Sequence, residues 1–136
     1  MAFSEQQFKD RTKAVGLRVI HLVEALPATR GSRVIGDQLL RSGTSIGANY
    51  RAACRAVSVA DIISKLGDVE EETDESMYWI EMLGDSNMVP KQRLAPLHRE
   101  LGEILAMVVA SIKTLRRHNP TSKNKNPRAN QAQSKI

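Results

Sequence analysis

Between Ser32 and Ala56 the apolar residues Ile35, Leu39, Ile46, Tyr50 and Ala53 recur at helical spacing, yet the same stretch contains Gly36, Gly43 and Gly47. Each glycine inside a helix costs roughly 1 kcal/mol relative to alanine. At about 100° per residue the three glycines and Cys54 fall within about 40° of one another. Such a slim seam of small side chains lets a second helix lie very close to this backbone. The apolar residues beside it form the face turned toward the rest of the protein. Arg30, Arg33, Arg41, Arg51 and Arg55 project away from them, within roughly 80° of each other. This basic stripe reads in three ways: a solvated face, a partner for acids on a neighbouring helix, or a surface for an anionic ligand.

Three further segments share the helical period. Ser4 with Gln7 resembles a capping box, and Phe8, Val15, Val19, Leu22 and Leu26 follow at spacings of three and four, which predicts a helix over about 4–26. Pro27 and Gly31 bracket a short connection in which Thr29 or Ser32 can cap a helix over about 30–56. Ser58 followed by Asp61 caps a third, over about 58–84, with Ile62, Leu66, Val69, Thr73, Met77 and Ile80 as its core stripe. Pro90 at the first position opens a fourth, over about 90–118, where Leu94, Leu97, Leu101, Ile104, Val108, Ile112 and Leu115 alternate in spacing. Arg116, Arg117 and His118 near its end favour the helix dipole. Four helices of this length with short connections predict an all-α, antiparallel up-down-up-down four-helix bundle over residues 1–118.

The charges are sorted by helix. Nine acids between Asp61 and Asp85 share their helix with a single base, Lys65, whereas the glycine-bearing helix is basic. Late in the third helix Tyr78, Trp79, Met82 and Leu83 spread apolar surface around most of the helix, more than three partner helices can cover. These four residues are the expected self-association surface, the alternative being Trp79 as a cap over the end of the bundle.

The net charge of +5 comes mostly from residues 119–136, which carry four bases and no acid and show no apolar period. That tail is expected to be disordered. Five aromatic residues argue against a stacking platform for single strands and for an aliphatic core. A single cysteine, Cys54, excludes an intramolecular disulfide and suits a reducing compartment. With no apolar run near 18 residues and no signal-peptide core, a cytoplasmic protein without a membrane anchor is expected.

Catalytic chemistry is not encoded in any pattern we recognise. A di-iron bundle needs Glu-x-x-His pairs, and none of His21, His98 and His118 has a glutamate three residues before it. Zinc spacing, phosphate-binding glycine loops and nucleophile elbows are missing. Arg51 and Arg55 near Cys54 could lower its pKa, but its place on the seam favours packing. The acids from Glu70 to Glu75 point in several directions around their helix and cannot converge on one ion. The expectation is a protein that is not an enzyme and needs no cofactor.

The segments LLRSGTSIGANYRAAC and ISKLGDVEEETDESMYWIEML, with ILAMVVASIKTLRR near the end, resemble the small bacterial four-helix-bundle proteins named for the intervening sequences of 23S ribosomal RNA genes. The resemblance covers about residues 8–117. Many members read Asn-Ile-Ala-Glu-Gly where this chain has Asn49, Tyr50, Arg51, Ala52 and Ala53, which removes an acid from the stripe. The resemblance implies a homopentameric ring. A similarity to the accessory variability proteins of diversity-generating retroelements implies partners in nucleic acid and a reverse transcriptase.

The expected function is therefore that of an oligomeric accessory protein binding structured RNA. Its contacts would be Arg33, Arg41, Arg51, Arg55, Lys113, Arg116 and Arg117, as phosphate-reading groups without sequence preference. The alternative is a homo-oligomeric scaffold for other proteins, such as a reverse transcriptase, with helix two and helix three pairing between subunits.

Overall fold

Hydroxyl caps set three of the four helix starts in the computed structural model, which describes residues 3–120. The Ser4 hydroxyl accepts from the Gln7 amide and opens α1 (Glu5–Glu24), and Thr29 accepts from the Ser32 amide to open α2 (Arg30–Arg55). Ser58 does the same with Asp61 for α3 (Val59–Asp85). A fourth helix, α4 (Lys91–His118), follows Pro90, which sits at the cap itself rather than inside the first turn, and it has no side-chain cap. Between α3 and α4 the chain reverses through Asn87, whose φ of 62° is a left-handed conformation that asparagine tolerates. The described residues form four helices and no strand. The charged tail expected over 119–136 lies almost wholly outside them.

The core is aliphatic, as the periodicity requires. Ile35, Leu39, Ile46, Tyr50 and Ala53 of α2 are buried, as are Leu66, Val69, Thr73 and Ile80 of α3 and the α4 series from Leu94 to Ile112. Leu22, Leu26, Ile62, Met77 and Leu115, all drawn into the core from spacing, are only partly covered. Ile63 and Ser76, outside the stripe drawn from spacing, are buried as well.

Contacts between neighbouring helices run in opposite sequence order. On the α1 side of α2, Gly36 faces Val23 and Leu26, Gly43 faces Val19, and Gly47 faces Thr12. Near the end of this pair the Phe8 and Tyr50 rings meet edge to face at 4.6 Å. The glycine seam is thus where α1 approaches: a Cβ on Gly43 would stand 2.7 Å from a Val19 methyl carbon. Between α2 and α3 the Ser76 hydroxyl donates to Ser42 at 2.9 Å in the interior. Between α3 and α4, Gly84 lies against Leu94, Glu81 bonds His98 at 2.8 Å, and Met77 faces Gly102. The α1 and α4 surfaces are joined by Arg11, which donates two 2.7 Å bonds to the Glu100 carboxylate and a third to Glu103.

Candidate nucleic-acid interface and the α1/α2 groove

The basic stripe of α2 is divided by its neighbours. Arg41 turns to α3, where its guanidinium donates to Glu72 and to Glu75. Those bonds hold the Arg41 pKa above its usual value, Glu75 contributing most. The Glu75 carboxyl lies below its ordinary range, first because the Trp79 indole N–H donates to it at 3.0 Å and then because of Arg41. Arg41 is therefore compensated within the chain and is withdrawn from the phosphate-binding set proposed from spacing.

Arg51 turns the other way, toward α1. It rims a groove of about 500 Å³ between α1 and α2, with Lys9 and Lys13. The buried part of the lining is small, Thr12 and Gly16, with Gly47 half-buried beside them. Leu17, 49% exposed, and Ile20 add apolar wall, and Asp10 is the one acid on the rim. Lys9 and Lys13 were not singled out from sequence. Their signal was a one-turn spacing on the flank of α1 beside the seam, legible only once α1 is known to be the helix that packs there.

Arg55, Lys113, Arg116 and Arg117 gather at one end of the molecule. The reversed pairing of α3 with α4, continued from Met77 and Gly102, brings Lys113 to Arg117 level with the first turns of α3, which only three residues separate from the end of α2 at Arg55. Arg55, Lys113 and Arg117 are exposed. Arg116 is half-buried, and its Nε is enclosed with no hydrogen-bond partner among the described residues. None of the ion pairs formed among those residues uses any of the four. Arg33 is also exposed but sits in the first turn of α2, about 33 Å along the helix from Arg55, so it belongs to a different surface.

Of the four apolar residues expected to mediate self-association, Tyr78 and Met82 are exposed, at 51% and 37%. Trp79 is partly covered against the core, with its ring edge to face with Tyr78 at 4.9 Å. Leu83 is corrected: it is fully buried in the chain's own core, so it is spent within the chain and offers no surface to a second copy.

Cys54 is half-buried, and burial raises its pKa, so the neighbouring arginines do not make it a thiolate. Burial likewise raises the pKa of Tyr50, whose enclosed hydroxyl lies beside the Cys54 thiol and makes no geometrically sound hydrogen bond among the described residues. A second groove, of about 480 Å³ between α3 and α4, is lined by polar groups that pair across it, Lys91 with Asp85 as an ion pair and His98 with Glu81 through a hydrogen bond. No three metal-ligating side chains converge among the described residues, and no helix there is long and apolar enough to cross a membrane.

These features define an all-α four-helix protein whose distinctive surfaces are charged patches. A model of the 23S rRNA-intervening sequence protein family matches residues 5–110, and the chain belongs to that family. Its fold is similar to a crystal structure of a protein with unknown function from the S23 ribosomal protein family of Bacteroides thetaiotaomicron VPI-5482. The two are 34% identical with a TM-score of 0.73, over 77% of this chain and 97% of the other. Comparison with curated proteins produced no match.

Proposed function

We propose that this protein is a non-enzymatic, cytoplasmic accessory protein that binds structured RNA as a homo-oligomer, a ring of five antiparallel bundles. The observation that carries the reading is the basic end formed by Arg55, Lys113, Arg116 and Arg117, none of which takes part in an ion pair among the described residues. Arginine guanidinium groups match phosphate oxygens in pairs, and their binding releases counterions from a polyanion. A ring would repeat the patch around one rim. The opposed contact order of successive helices supports the antiparallel arrangement. Exposed Tyr78 and Met82 support self-association.

The test is retention of structured RNA, single-stranded DNA and duplex DNA by the full chain over a salt series. Arg55→Ala with Arg117→Ala is expected to weaken all polyanion binding and to flatten the salt slope by about 1.5, since each phosphate contact contributes roughly 0.7 to 0.9. An unchanged slope removes the basic end from the mechanism.

A further inference from the structure

The two grooves differ in their charge balance. In the α3/α4 groove the cations Lys91 and Arg99 stand among Glu81 and Asp85. Around the α1/α2 groove three cations, Lys9, Lys13 and Arg51, stand against the single acid Asp10, which already accepts a 2.9 Å hydrogen bond from the Gln6 side-chain amide. Lys9 also reaches Glu5, at 3.7 Å. Lys13 and Arg51 are exposed and enter no ion pair among the described residues.

The α1/α2 groove is also graded along its length. A Cβ on Gly47 would stand 3.6 Å from the Lys13 amide nitrogen, and one on Gly16 would stand 3.8 Å from the Thr44 Cα. Lys13 is thus level with Gly47, and Leu17, next to Gly16, is level with Thr44. Because the two helices run in opposed order, one turn from Lys13 and Gly47 brings Lys9 level with Arg51. The three cations therefore occupy one half, and Leu17 and Ile20 wall the other. At 1.5 Å per residue Lys13 and Ile20 are about 10 Å apart along the axis.

We propose that this groove binds a free amphiphilic anion, a molecule with an anionic head and an unbranched apolar body of medium length. The head lies between Lys9, Lys13 and Arg51, whose guanidinium can pair two oxygens of a carboxylate or phosphate, and the body runs along Leu17 and Ile20. The volume of about 500 Å³ suits a small ligand. A nucleic-acid strand carries charge at every step and would find no cation beside Leu17 and Ile20. Leu17 is the one large apolar side chain exposed along the groove, too little to hold a lipid surface. The inference stands apart from the RNA reading, which uses the basic end.

Decanoate below its micelle concentration is the probe, titrated into the full chain by calorimetry and followed by amide NMR, where Gly16 and Gly47 report from inside the groove. One decanoate per chain is expected to bind and to shift both glycine amides. Octanoate should bind roughly tenfold more weakly, and acetate and inorganic phosphate far more weakly still, because each buried methylene contributes. Lys13→Gln with Arg51→Gln is expected to weaken decanoate about tenfold and Leu17→Gln about fivefold, with helix content retained by circular dichroism. Lys91→Gln, in the other groove, should change nothing. Absence of binding at millimolar decanoate overturns the site. Acetate binding as tightly as decanoate also overturns it, since it leaves only a patch of charge. Flotation with phosphatidylglycerol vesicles without a response to decanoate overturns the free ligand and gives the groove to a membrane surface. Structured RNA that displaces decanoate, and whose own retention falls in Lys13→Gln with Arg51→Gln, gives the groove to RNA and overturns the proposal while leaving the RNA reading intact.

Discussion

Replacing Gly43 by alanine sets helix propensity against packing at the closest approach of two helices. The intrinsic preference favours alanine by about 1 kcal/mol. The added methyl would stand 2.7 and 2.9 Å from the two γ-carbons of Val19 and 3.1 Å from its Cβ. Rotating Val19 about χ1 moves the γ-carbons but not the β-carbon, and Val19 is fully buried, so α1 must back away from α2. Restoring an ordinary contact of about 3.6 Å needs a shift of nearly 1 Å. Overpacking of that kind costs about 1–3 kcal/mol, and the rigidity of Val19 puts this site toward the upper end. The net expectation is a loss of about 1–2 kcal/mol, or roughly 4–10 °C in Tm. Gly102→Ala is the control, because its Cβ would meet only the flexible end of Met77 at 3.7 Å, and a gain of up to about 1 kcal/mol is expected. Urea and thermal unfolding, followed by circular dichroism at one fixed protein concentration, measure both. Adding Val19→Ala should recover part of the Gly43→Ala loss as a favourable coupling. A Gly43→Ala protein as stable as Gly102→Ala would refute the account of the seam.

Arg41→Ala is expected to leave the salt slope of RNA binding unchanged, in contrast to the paired Arg55 and Arg117 substitutions, because Glu72 and Glu75 already compensate it. The Glu100 carboxyl lies below its ordinary value of 4.5, chiefly because Arg11 donates to it. A depressed carboxylate stabilises the fold fully above the unfolded pKa, and that contribution is lost as pH falls through the folded value. Glu100→Gln should therefore lose less stability than wild type between about pH 5 and pH 3 in urea titrations, by no more than about 1 kcal/mol for so accessible a pair. Ser76→Ala alone should cost about 1 kcal/mol by leaving Ser42 short of a partner, while alanine at both positions should cost less than the sum of the two single changes, a difference read in denaturant midpoints. Cys54 should label slowly with a thiol reagent at neutral pH, since burial keeps it protonated, and fast labelling would contradict its half-buried position.

The candidate site was only partly legible. Arg55, Lys113, Arg116 and Arg117 could be named from charge and helix position, yet their convergence depended on α4 running back to the end where α2 stops. Arg33, Arg41, Arg51 and Arg55 looked equivalent on a wheel because a wheel discards height along the helix and ignores neighbours. Packing separated them: Arg41 to acids of α3, Arg51 to a groove with α1 lysines, Arg33 to the far end. Leu83 was misplaced for a related reason, since a helix that looks apolar all round does not say which side its partner covers.

The sequence by itself determined the secondary structure and the composition of the core. Caps at Ser4, Thr29 and Ser58, the three-and-four spacing of the apolar residues and the glycine seam act within a few residues, where bond geometry and side-chain burial act directly. Tertiary structure alone decided which charges are spent inside the chain and which remain. Arg11 on Glu100 and Arg41 on Glu75 join positions far apart in sequence. A Coulombic contact depends on distance in space, which the period of a helix does not contain.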